Sequence, residues 1–261
     1  MLAEGIILSK MLVQAPIVEQ EMIANQVNKL TIYAPELANQ AAPGQFIHLR
    51  VADGYYPLLR RPLSISSVDK QLGTVSTIYR IVGQGTARLA TLKQDDIIDC
   101  MGPLGKGFNL ECKTPLLVGG GMGLAPLVFL AQRLCPRPIE ILMGGRSEQE
   151  MFWTSIYNQI CKKVHITTDD GSVGQRGFTV DVLPALLESG IYDMIYACGP
   201  RPMLERIAMI AKTFAIPCQV SLEEHMACGV GACLSCTCAG KDNKRKKVCT
   251  DGPVFWAGEV F

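Results

Sequence analysis

The stretch Leu117–Pro126 has the sequence LVGGGMGLAP, a glycine-rich turn between two apolar stretches. The stretch before it, Pro115–Val118, has the length of a buried strand, and the stretch after it, up to Leu134, has the length of a helix. Glycines at a strand–helix turn let a pyrophosphate approach both the backbone and the helix N-terminus. Since glycine also serves plain strand–helix packing, the turn alone leaves both interpretations open. The candidate binding residues of this turn are Gly119, Gly120, Gly121 and Gly123.

Predicted strands and helices alternate from this turn to about residue 224. Repeated strand–helix units with apolar strands imply a parallel, doubly wound sheet, so we expect an α/β domain over residues 113–224. The predicted strands are Pro115–Val118, Ile139–Met143, Val164–Thr168, Met194–Ala197 and Cys218–Leu222. The predicted helices are the segment up to Leu134, Glu148–Ile160, Val180–Leu187 and Met203–Phe214.

A second turn of this kind, formed by Cys198, Gly199 and Pro200, ends the fourth predicted strand. The carboxyl ends of parallel strands meet at one edge of the sheet, where ligands bind in a crevice. Two such turns predict a nicotinamide nucleotide site, and Asp169–Ser172 would line the same crevice from a third strand. Arg146 follows the second strand, where a cation could accept a 2′-phosphate, so the residues leave both NAD and NADP open.

Residues 1–112 show another pattern, in which short strand-like stretches are separated by proline and glycine. The clearest turn-forming stretches are Ala42–Gly44 and Asp53–Gly54. Short strands with frequent turns and few helices are typical of a small antiparallel β-barrel. Examples of the predicted strands are Gly5–Leu12, Val27–Tyr33, Gln45–Val51 and Gly73–Val82, and one short helix is predicted at Thr86–Leu92.

The last segment, residues 225–261, is too short to hold a core of its own, so we expect a bound metal centre to stabilise it. Its cysteines have the spacing Cys228-x4-Cys233-x2-Cys236, followed by Cys249, which is the plant-type [2Fe–2S] pattern. The small residues between the first two ligands let backbone N–H groups turn toward the sulfurs. Zinc is the alternative, but zinc ribbons favour two C-x2-C pairs and this segment has one. Cys238 is predicted to be a spare buried thiol.

The overall composition limits the class of protein. Eleven cysteines in 261 residues are too sparse for a secreted disulfide scaffold, and their clustering indicates metal binding in a reducing compartment. The N-terminus has no basic region, so no signal peptide is predicted. The uncharged stretch Thr114–Gln132 is long enough to span a membrane, but its prolines and glycines favour a strand, a turn and a helix. We therefore expect a cytoplasmic protein that does not enter a membrane.

The 25 basic and 24 acidic side chains nearly cancel, which excludes a generic binder of nucleic acid. The basic run Lys241–Lys247 is predicted to be a solvated hairpin tip. The alternatives are that it balances the negative charge of the cluster or faces an acidic partner. The three histidines, His48, His165 and His225, are predicted to be structural.

A nicotinamide exchanges two electrons as a hydride, whereas a [2Fe–2S] cluster exchanges one. A chain that holds both needs a converter, for which flavin is usual, and we expect the barrel to hold it. Arg61 offers a charged fork for phosphate and Ser64 a hydroxyl for the flavin ring. Gly85 and Thr86, at a predicted helix start, can hold phosphate oxygens. The candidate flavin-binding residues are Arg61, Pro62, Leu63, Ser64, Ile78, Tyr79, Arg80, Gly85 and Thr86.

The order of these motifs, RPLS from Arg61, GT from Gly85, GGGMGLAP from Gly119 and CGP from Cys198, resembles the ferredoxin–NADP reductase superfamily. The C-terminal cysteine segment resembles, more specifically, the electron-transfer subunits of dihydroorotate dehydrogenase B, and the resemblance covers essentially the whole chain. It implies FAD at the candidate flavin-binding residues and NAD at the glycine turns. Leu63 departs from the pattern, because many reductases have an aromatic residue there. The cluster ligands that the resemblance implies are Cys228, Cys233, Cys236 and Cys249.

The resemblance also implies a partner. In that family a separate catalytic subunit with FMN oxidises dihydroorotate, and two copies of each chain form a heterotetramer. Electrons would pass from FMN to the cluster, then to FAD and NAD⁺, as a step of pyrimidine biosynthesis. The residues agree with a relay role, because the sequence shows no carboxylate pair, Ser-His-Asp set or obvious base for a carbon substrate. No catalytic residue is therefore assigned.

Two other hypotheses stay open at this point. The chain could be a related reductase subunit of a bifurcating transhydrogenase, a sulfide dehydrogenase or a hydrogenase. Some of those subunits replace a cluster cysteine with aspartate, and the four cysteines here argue against them. A protein of another class, a redox- or zinc-sensing module with a relict nucleotide domain, would lack both flavin and iron–sulfur absorbance.

Overall fold

The computed structural model describes residues 10–52 and 54–261. Its strands are β1 Met11–Ala24, β2 Val27–Tyr33, β3 Phe46–Arg50, β4 Arg61–Ser64, β5 Ser67–Asp69, β6 Thr74–Arg80, β7 Ile97–Leu104, β8 Pro115–Gly120, β9 Glu140–Gly145, β10 Lys163–Thr168, β11 Gln175–Arg176, β12 Met194–Cys198, β13 Cys218–Ser221, β14 Thr237–Ala239, β15 Arg245–Lys247 and β16 Val254–Trp256. Its helices are α1 Pro35–Gln40, α2 Gln84–Leu89, α3 Leu124–Leu134, α4 Trp153–Tyr157, α5 Thr179–Leu187, α6 Arg201–Thr213 and α7 Ala257–Val260.

The first seven strands form one antiparallel sheet in the order β4-β3-β7-β1-β2-β6-β5. The chain crosses from β4 to β5 and closes the sheet toward β6, where the Thr77 hydroxyl donates to the Ser64 carbonyl at 2.9 Å. Branched apolar side chains such as Ile32, Ile47 and Ile98 fill the interior and are essentially fully buried. The predicted antiparallel barrel is therefore confirmed.

The second sheet has the order β11-β10-β9-β8-β12-β13-β16. Its strands are parallel apart from β16, which pairs antiparallel with β13. Alternate residues of β8 face opposite sides of the sheet. Leu116 and Val118 pack in the core shared with α5 and α6, whereas Leu117 packs in the core shared with α3 and α4. Helices cover both faces, so the central strands β8 and β12 are buried along their whole length, and the predicted doubly wound sheet is confirmed.

The cysteine-rich segment packs on the parallel sheet. Its strands β14 and β15 form a two-stranded hairpin, and β16 extends the sheet beside β13. Cys236, Cys249 and Phe255 are buried in the same core as strand β12. The segment thus takes its apolar support from the sheet and places its cysteines beside the barrel.

Several predicted elements need correction. Glu148–Ile160, predicted as one helix, contains a 3₁₀ turn at Glu148–Glu150 and the short helix α4, because Met151 leaves helical geometry at φ −92° and ψ 20°. The predicted strand Gly5–Leu12 lies mostly outside the described residues, and β1 continues to Ala24. Helix α1 and strands β5, β7, β11 and β16 are additional to the predicted elements. None of the helices in the described part of the chain has the length and apolar character needed to cross a membrane.

Candidate functional site

A cleft of about 540 Å³, here called the barrel cleft, lies between the barrel and the parallel sheet. Strands β4 and β6 form its barrel side, and Met122, Ala125 and Pro126 at the start of α3 form its other side. Most of the candidate flavin-binding residues meet in this cleft although they come from three separate stretches of sequence. The predicted residues that line it are Arg61, Pro62, Leu63, Ser64, Ile78, Tyr79, Arg80 and Thr86.

Gly85 lies directly against Arg61. A Cβ atom at Gly85 would overlap the Arg61 guanidinium, so the absence of a side chain lets the charged group lie on the backbone where α2 begins. The Thr86 hydroxyl is engaged with the same loop, since it accepts from the Val82 N–H at 2.9 Å and donates to the Gly83 carbonyl at 3.0 Å. These contacts hold the loop beside a fixed positive charge, an arrangement that suits a phosphate.

Arg80, predicted to contact flavin, also forms an ion pair across the two halves of the molecule. Its Nη1 lies 3.3 Å from Oε1 of Glu150. The same carboxylate accepts from the Arg146 backbone N–H at 3.0 Å and from its guanidinium at 2.6 Å. Burial raises the pKa of Glu150, but the hydrogen bonds and charges of Arg146 and Arg80 outweigh it, and the pKa lies below its ordinary value.

A second cleft of about 400 Å³, here called the glycine crevice, lies at the carboxyl ends of β8 and β12. The two predicted turns meet there, because an added Cβ at Gly123 would come within 2.5 Å of the Cys198 carbonyl oxygen. Gly119 of β8 and Cys198 of β12 are paired in the sheet and do not themselves line the crevice. Burial raises the pKa of the Cys198 thiol well above its ordinary value, so the thiol is neutral. The predicted residues that line the crevice are Gly120, Gly121, Gly123, Gly199 and Pro200.

The stretch Leu222–Glu224 lines both the barrel cleft and the glycine crevice, and was missed from the sequence. It follows β13, so its position at the carboxyl edge of a parallel sheet is the signal that could have found it. The Glu223 side chain is reached by water through the clefts, yet burial among the surrounding atoms raises the pKa of its carboxyl. The next two residues, His225 and Met226, also line the barrel cleft.

The four predicted cluster cysteines form two neighbouring pairs. The backbone N–H groups of Val230 and Cys233 each donate to the Cys228 sulfur at 3.4 Å, and the Cys249 N–H donates to the Cys236 sulfur at 3.4 Å. The predicted turning of N–H groups toward sulfur is therefore confirmed. It depends on Gly229 and Gly231, whose φ angles of 70° and 85° suit glycine.

The thiols of the loop differ in acidity. Hydrogen bonds from Ser235, followed by those from Cys228, lower the pKa of Cys233 to about 6. Burial, and then the neighbouring Cys236, raise the pKa of Cys249 to about 11. Thiolate is the form that binds metal, so the lowered pKa of Cys233 favours the form that a metal ligand requires. Cys238 lies in β14 and is buried in the core of the sheet, which agrees with the prediction of a spare thiol.

Across residues 10–52 and 54–261, no three His, Cys, Asp or Glu side chains converge on a point that could hold one metal ion. A [2Fe–2S] cluster does not need such a point, because its two irons share four cysteines. Two adjacent pairs with backbone donors aimed at sulfur fit this cluster better than they fit tetrahedral zinc.

The histidines have different surroundings. His165 contacts Glu140 at 2.8 Å, and the Tyr192 hydroxyl donates to the same carboxylate at 2.7 Å, which agrees with a structural role. His225 lines the barrel cleft. His48 is fully buried in β3, and burial lowers its pKa to about 4.

The basic run Lys241–Lys247 spans the tip and second strand of the β14–β15 hairpin, and most of it is exposed, as predicted. Lys244, Arg245 and Lys246 border a depression of about 530 Å³ together with Lys106. A wider groove of about 1230 Å³ on the outer face of the barrel is lined by none of the predicted residues. The candidate chemistry is therefore concentrated in the two clefts and the cysteine loop.

Two known families match separate parts of the chain. Residues 14–108 match the oxidoreductase FAD-binding domain, and residues 223–261 match the iron–sulfur cluster binding domain of dihydroorotate dehydrogenase B. The electron transfer subunit of dihydroorotate dehydrogenase B (NAD(+)) from Bacillus caldolyticus is 42% identical over 252 residues, which are 94% of this chain and 96% of that protein. The subunit of the same name from Bacillus cereus is 40% identical over 255 residues, again 94% and 96%.

Solved structures extend the comparison. The NADH-dependent reduced ferredoxin-NADP oxidoreductase, a structure concerned with flavin-based electron bifurcation, has a TM-score of 0.84 at 30% identity and covers 95% of this chain and 90% of that chain. The ferredoxin NADP⁺ reductase of Neisseria gonorrhoeae, with bound FAD and NADP, has a TM-score of 0.63 at 16% identity over 78% of this chain and 91% of that chain. The second likeness shows a shared fold.

Proposed function

Because the chain belongs to the family of dihydroorotate dehydrogenase B electron transfer subunits, we propose that it conveys electrons from dihydroorotate oxidation to NAD⁺ in pyrimidine biosynthesis. The observation that carries this proposal is the stretch from Leu222 to Cys228. It runs from the glycine crevice along the barrel cleft and reaches the first cluster cysteine within a few residues. One short segment therefore touches every site that the transfer requires.

The barrel cleft is the proposed FAD site. Arg61, held against Gly85, supplies the fixed positive charge for the pyrophosphate, and Ser64 supplies a hydroxyl near the ring. Tyr79 lines the cleft with its aromatic ring, because its hydroxyl accepts a hydrogen bond from Gln20 at 2.6 Å. Leu63 lines the cleft without an aromatic face, so apolar contact replaces stacking at that position. Met122 and Pro126 cover the side toward the glycine crevice and exclude water there. The proposed FAD-binding residues remain Arg61, Pro62, Leu63, Ser64, Ile78, Tyr79, Arg80, Gly85 and Thr86.

The glycine crevice is the proposed nicotinamide nucleotide site. Its two turns leave room for a pyrophosphate because Gly120, Gly121 and Gly199 carry no side chain. Glu150 neutralises Arg146, the side chain that would otherwise attract a 2′-phosphate, and this favours NAD over NADP. The proposed binding residues are Gly119, Gly120, Gly121, Gly123, Cys198, Gly199 and Pro200.

The cysteine loop is the proposed [2Fe–2S] site, with Cys228 and Cys233 as one pair of ligands and Cys236 and Cys249 as the other. When bound, the cluster supplies one-electron exchange and the flavin links it to hydride exchange with the nicotinamide. The chain itself contributes binding, exclusion of water and N–H groups aimed at sulfur. We propose three regions along the chain: residues 1–112 for FAD, 113–224 for NAD and 225–261 for the cluster.

The name "electron transfer subunit" implies a partner that performs the carbon chemistry. We propose a separate FMN-containing catalytic subunit, two copies of each chain in a heterotetramer and a cytoplasmic location. Cys233 is exposed, and Val230 and Leu234 beside it are exposed apolar side chains. An apolar surface at the ligand nearest the solvent is suited to docking the partner close enough for electron transfer.

The second candidate function is that of a reductase subunit in another flavin complex. The observation in its favour is the likeness over 95% of this chain to the NADH-dependent reduced ferredoxin-NADP oxidoreductase at a TM-score of 0.84. Both functions use the same cofactor sites and differ in the partner.

The discriminating experiment uses the purified chain with and without the pyrimidine-pathway catalytic subunit of the same organism. The chain alone is expected to show flavin and [2Fe–2S] absorbance, to reduce artificial acceptors with NADH and to leave dihydroorotate unoxidised. The copurified pair is expected to reduce NAD⁺ with dihydroorotate. Dihydroorotate oxidation by the chain alone, or a colourless chain after cluster reconstitution, contradicts the proposal. Failure of the pair to form supports the second candidate.

A further inference from the structure

Among the described residues, His48 is the buried side chain with the most polar atoms that lack a hydrogen-bond partner. It lies in the middle of β3, opposite Pro62 of β4 and Met101 of β7, and is 0% exposed. Neither ring nitrogen has a hydrogen-bond partner among the described residues. Buried polar groups in proteins nearly always form hydrogen bonds. A fully buried imidazole with two unpartnered nitrogens therefore indicates a hydrogen bond to a group that is not part of the polypeptide.

The ring faces the cysteine loop. An added Cβ at Gly229 would lie 2.6 Å from Nδ1 of His48 and 3.3 Å from its Cε1. Gly229 directly follows Cys228, and its φ of 70° turns the loop so that its backbone passes over the imidazole. Leu104 and the edge of the Phe46 ring enclose the remaining space. Nδ1 of His48 therefore lies next to the loop backbone that directly follows Cys228, in space that a side chain at residue 229 would occupy.

Burial, followed by the positive charges of Arg60 and Arg61, lowers the pKa of His48 and favours the neutral form, in which one ring nitrogen is a donor and the other an acceptor. The side chain of Arg60 donates to the His48 carbonyl at 3.3 Å and to Asp99 at 2.7 Å, so a positive charge already lies nearby. The sulfurs of a reduced cluster carry negative charge and accept hydrogen bonds, and such bonds stabilise the reduced form.

We propose that His48 donates a ring N–H to a sulfur at the Cys228 end of the cluster and thereby raises the reduction potential of the cluster. This inference rests on the proposed function, because it requires that the loop hold the cluster. His48 is a positioning residue in this account, since it acts on the cluster sulfur and touches no substrate. One side chain of the barrel thus adjusts the reduction potential of a cluster that the cysteine-rich segment holds.

The test compares His48→Leu, which removes the donor, with His48→Gln, which keeps an N–H. Leu49→Val, a small change in the same strand at another fully buried residue, is the matched packing control. The cluster potential of the purified full chain is measured by EPR-monitored redox titration. His48→Leu is expected to shift the cluster about tenfold toward its oxidised form, which is about 59 mV for one electron. His48→Gln is expected to recover part of the shift and Leu49→Val to show none.

A second measurement uses the unaltered chain and so does not depend on how the variants fold. Pulsed EPR of the reduced cluster, with ¹⁵N-labelled histidine, is expected to show a histidine nitrogen coupled to the cluster. A normal cluster without this coupling, or an unchanged potential in His48→Leu, overturns the inference and leaves the proposed function intact. A chain that shows no [2Fe–2S] signal after reconstitution overturns both.

Discussion

The Arg80 guanidinium of the barrel lies 3.3 Å from the Glu150 carboxylate, which belongs to the parallel-sheet half of the molecule. Both side chains are mostly covered, with 27% and 13% of their surface exposed. Glu150 also binds Arg146, so one carboxylate joins a residue of the barrel cleft to the residue that follows β9. The ion pair therefore connects the two halves at the edge of the barrel cleft.

Replacing Glu150 by glutamine is expected to change the preference between nucleotides. The substitution leaves the Arg146 charge free to meet a 2′-phosphate, and a charge-assisted contact of this kind corresponds to about tenfold in the ratio of kcat/KM for NADPH over NADH. The ratio is measured with the isolated chain and ferricyanide as acceptor. Glu19→Gln, which breaks the surface pair of Glu19 with Lys29, is the control and should leave the ratio unchanged. An unchanged ratio in Glu150→Gln would show that Arg146 does not face the ribose.

Flavin retention is expected to depend on Arg61 and Gly85 together. Arg61→Ala removes the phosphate-binding charge, and Gly85→Ala pushes the guanidinium away by overlap, so both should lower FAD affinity about tenfold or more. FAD content after gel filtration and equilibrium rebinding of FAD measure the effect. Arg88→Ala, at an exposed position on the same helix, is the control. Full FAD occupancy in both variants would place the phosphates elsewhere.

Local sequence patterns were sufficient for the parallel sheet, the two glycine turns and the cysteine spacing. Each glycine turn is a signal within a few residues, as in the buried β8 followed at once by Gly121–Gly123. The sheet follows from repetition of the strand–helix unit, and the cysteine pattern from the spacing of residues 228–249. The four consecutive residues Arg61–Ser64 are also a local signal. They form one short strand at the end of the sheet order, and all four line the barrel cleft.

Tertiary contacts decide the features that were missed. Glu223 follows β13 at the carboxyl edge of the sheet, but its place between two clefts depends on how the barrel packs against the sheet. The Arg80–Glu150 pair joins residues 70 positions apart. A buried histidine in a strand, such as His48, does not reveal from the sequence whether its ring nitrogens find partners. Strand β16 has three residues and becomes a strand by pairing with β13.

Cluster binding is expected to depend on Cys233 and not on Cys238, which lies five residues farther along the chain. Cys233→Ser removes a proposed ligand and should abolish the [2Fe–2S] absorbance and EPR signal. Cys238→Ala changes a buried thiol of the core and should retain the signal at nearly full intensity. Iron and sulfide content per chain provides the quantitative check. Retention of a normal signal in Cys233→Ser would contradict the ligand assignment.

Stability is expected to depend on pH through Glu140. Burial raises the pKa of Glu140, but hydrogen bonds from His165 and Tyr192 outweigh it, and the folded pKa lies below its ordinary value. The carboxylate therefore stabilises the fold above the unfolded pKa, and this contribution is lost as the pH falls through the folded pKa. Glu140→Gln should lower the free energy of unfolding by about 1 kcal/mol at pH 7, with a smaller difference in acid. Urea titrations at several pH values measure this, and exposed Glu21→Gln is the control. A difference that stays constant into acid would contradict the ionic origin.

Nucleotide binding is expected to depend on the contact between the two glycine turns. An added Cβ at Gly123 would lie 2.5 Å from the Cys198 carbonyl oxygen and 2.6 Å from the Gly199 nitrogen, so Gly123→Ala must push the turns apart. Both contacts are with backbone, which cannot move aside as a flexible side chain does. The KM for NADH should therefore rise at least severalfold, while FAD content and cluster signal stay normal because neither proposed site includes the contact. Gly258→Ala, where an added Cβ meets no atom within 4 Å, is the control. An unchanged KM in Gly123→Ala would mean that the nucleotide does not use the space between the turns.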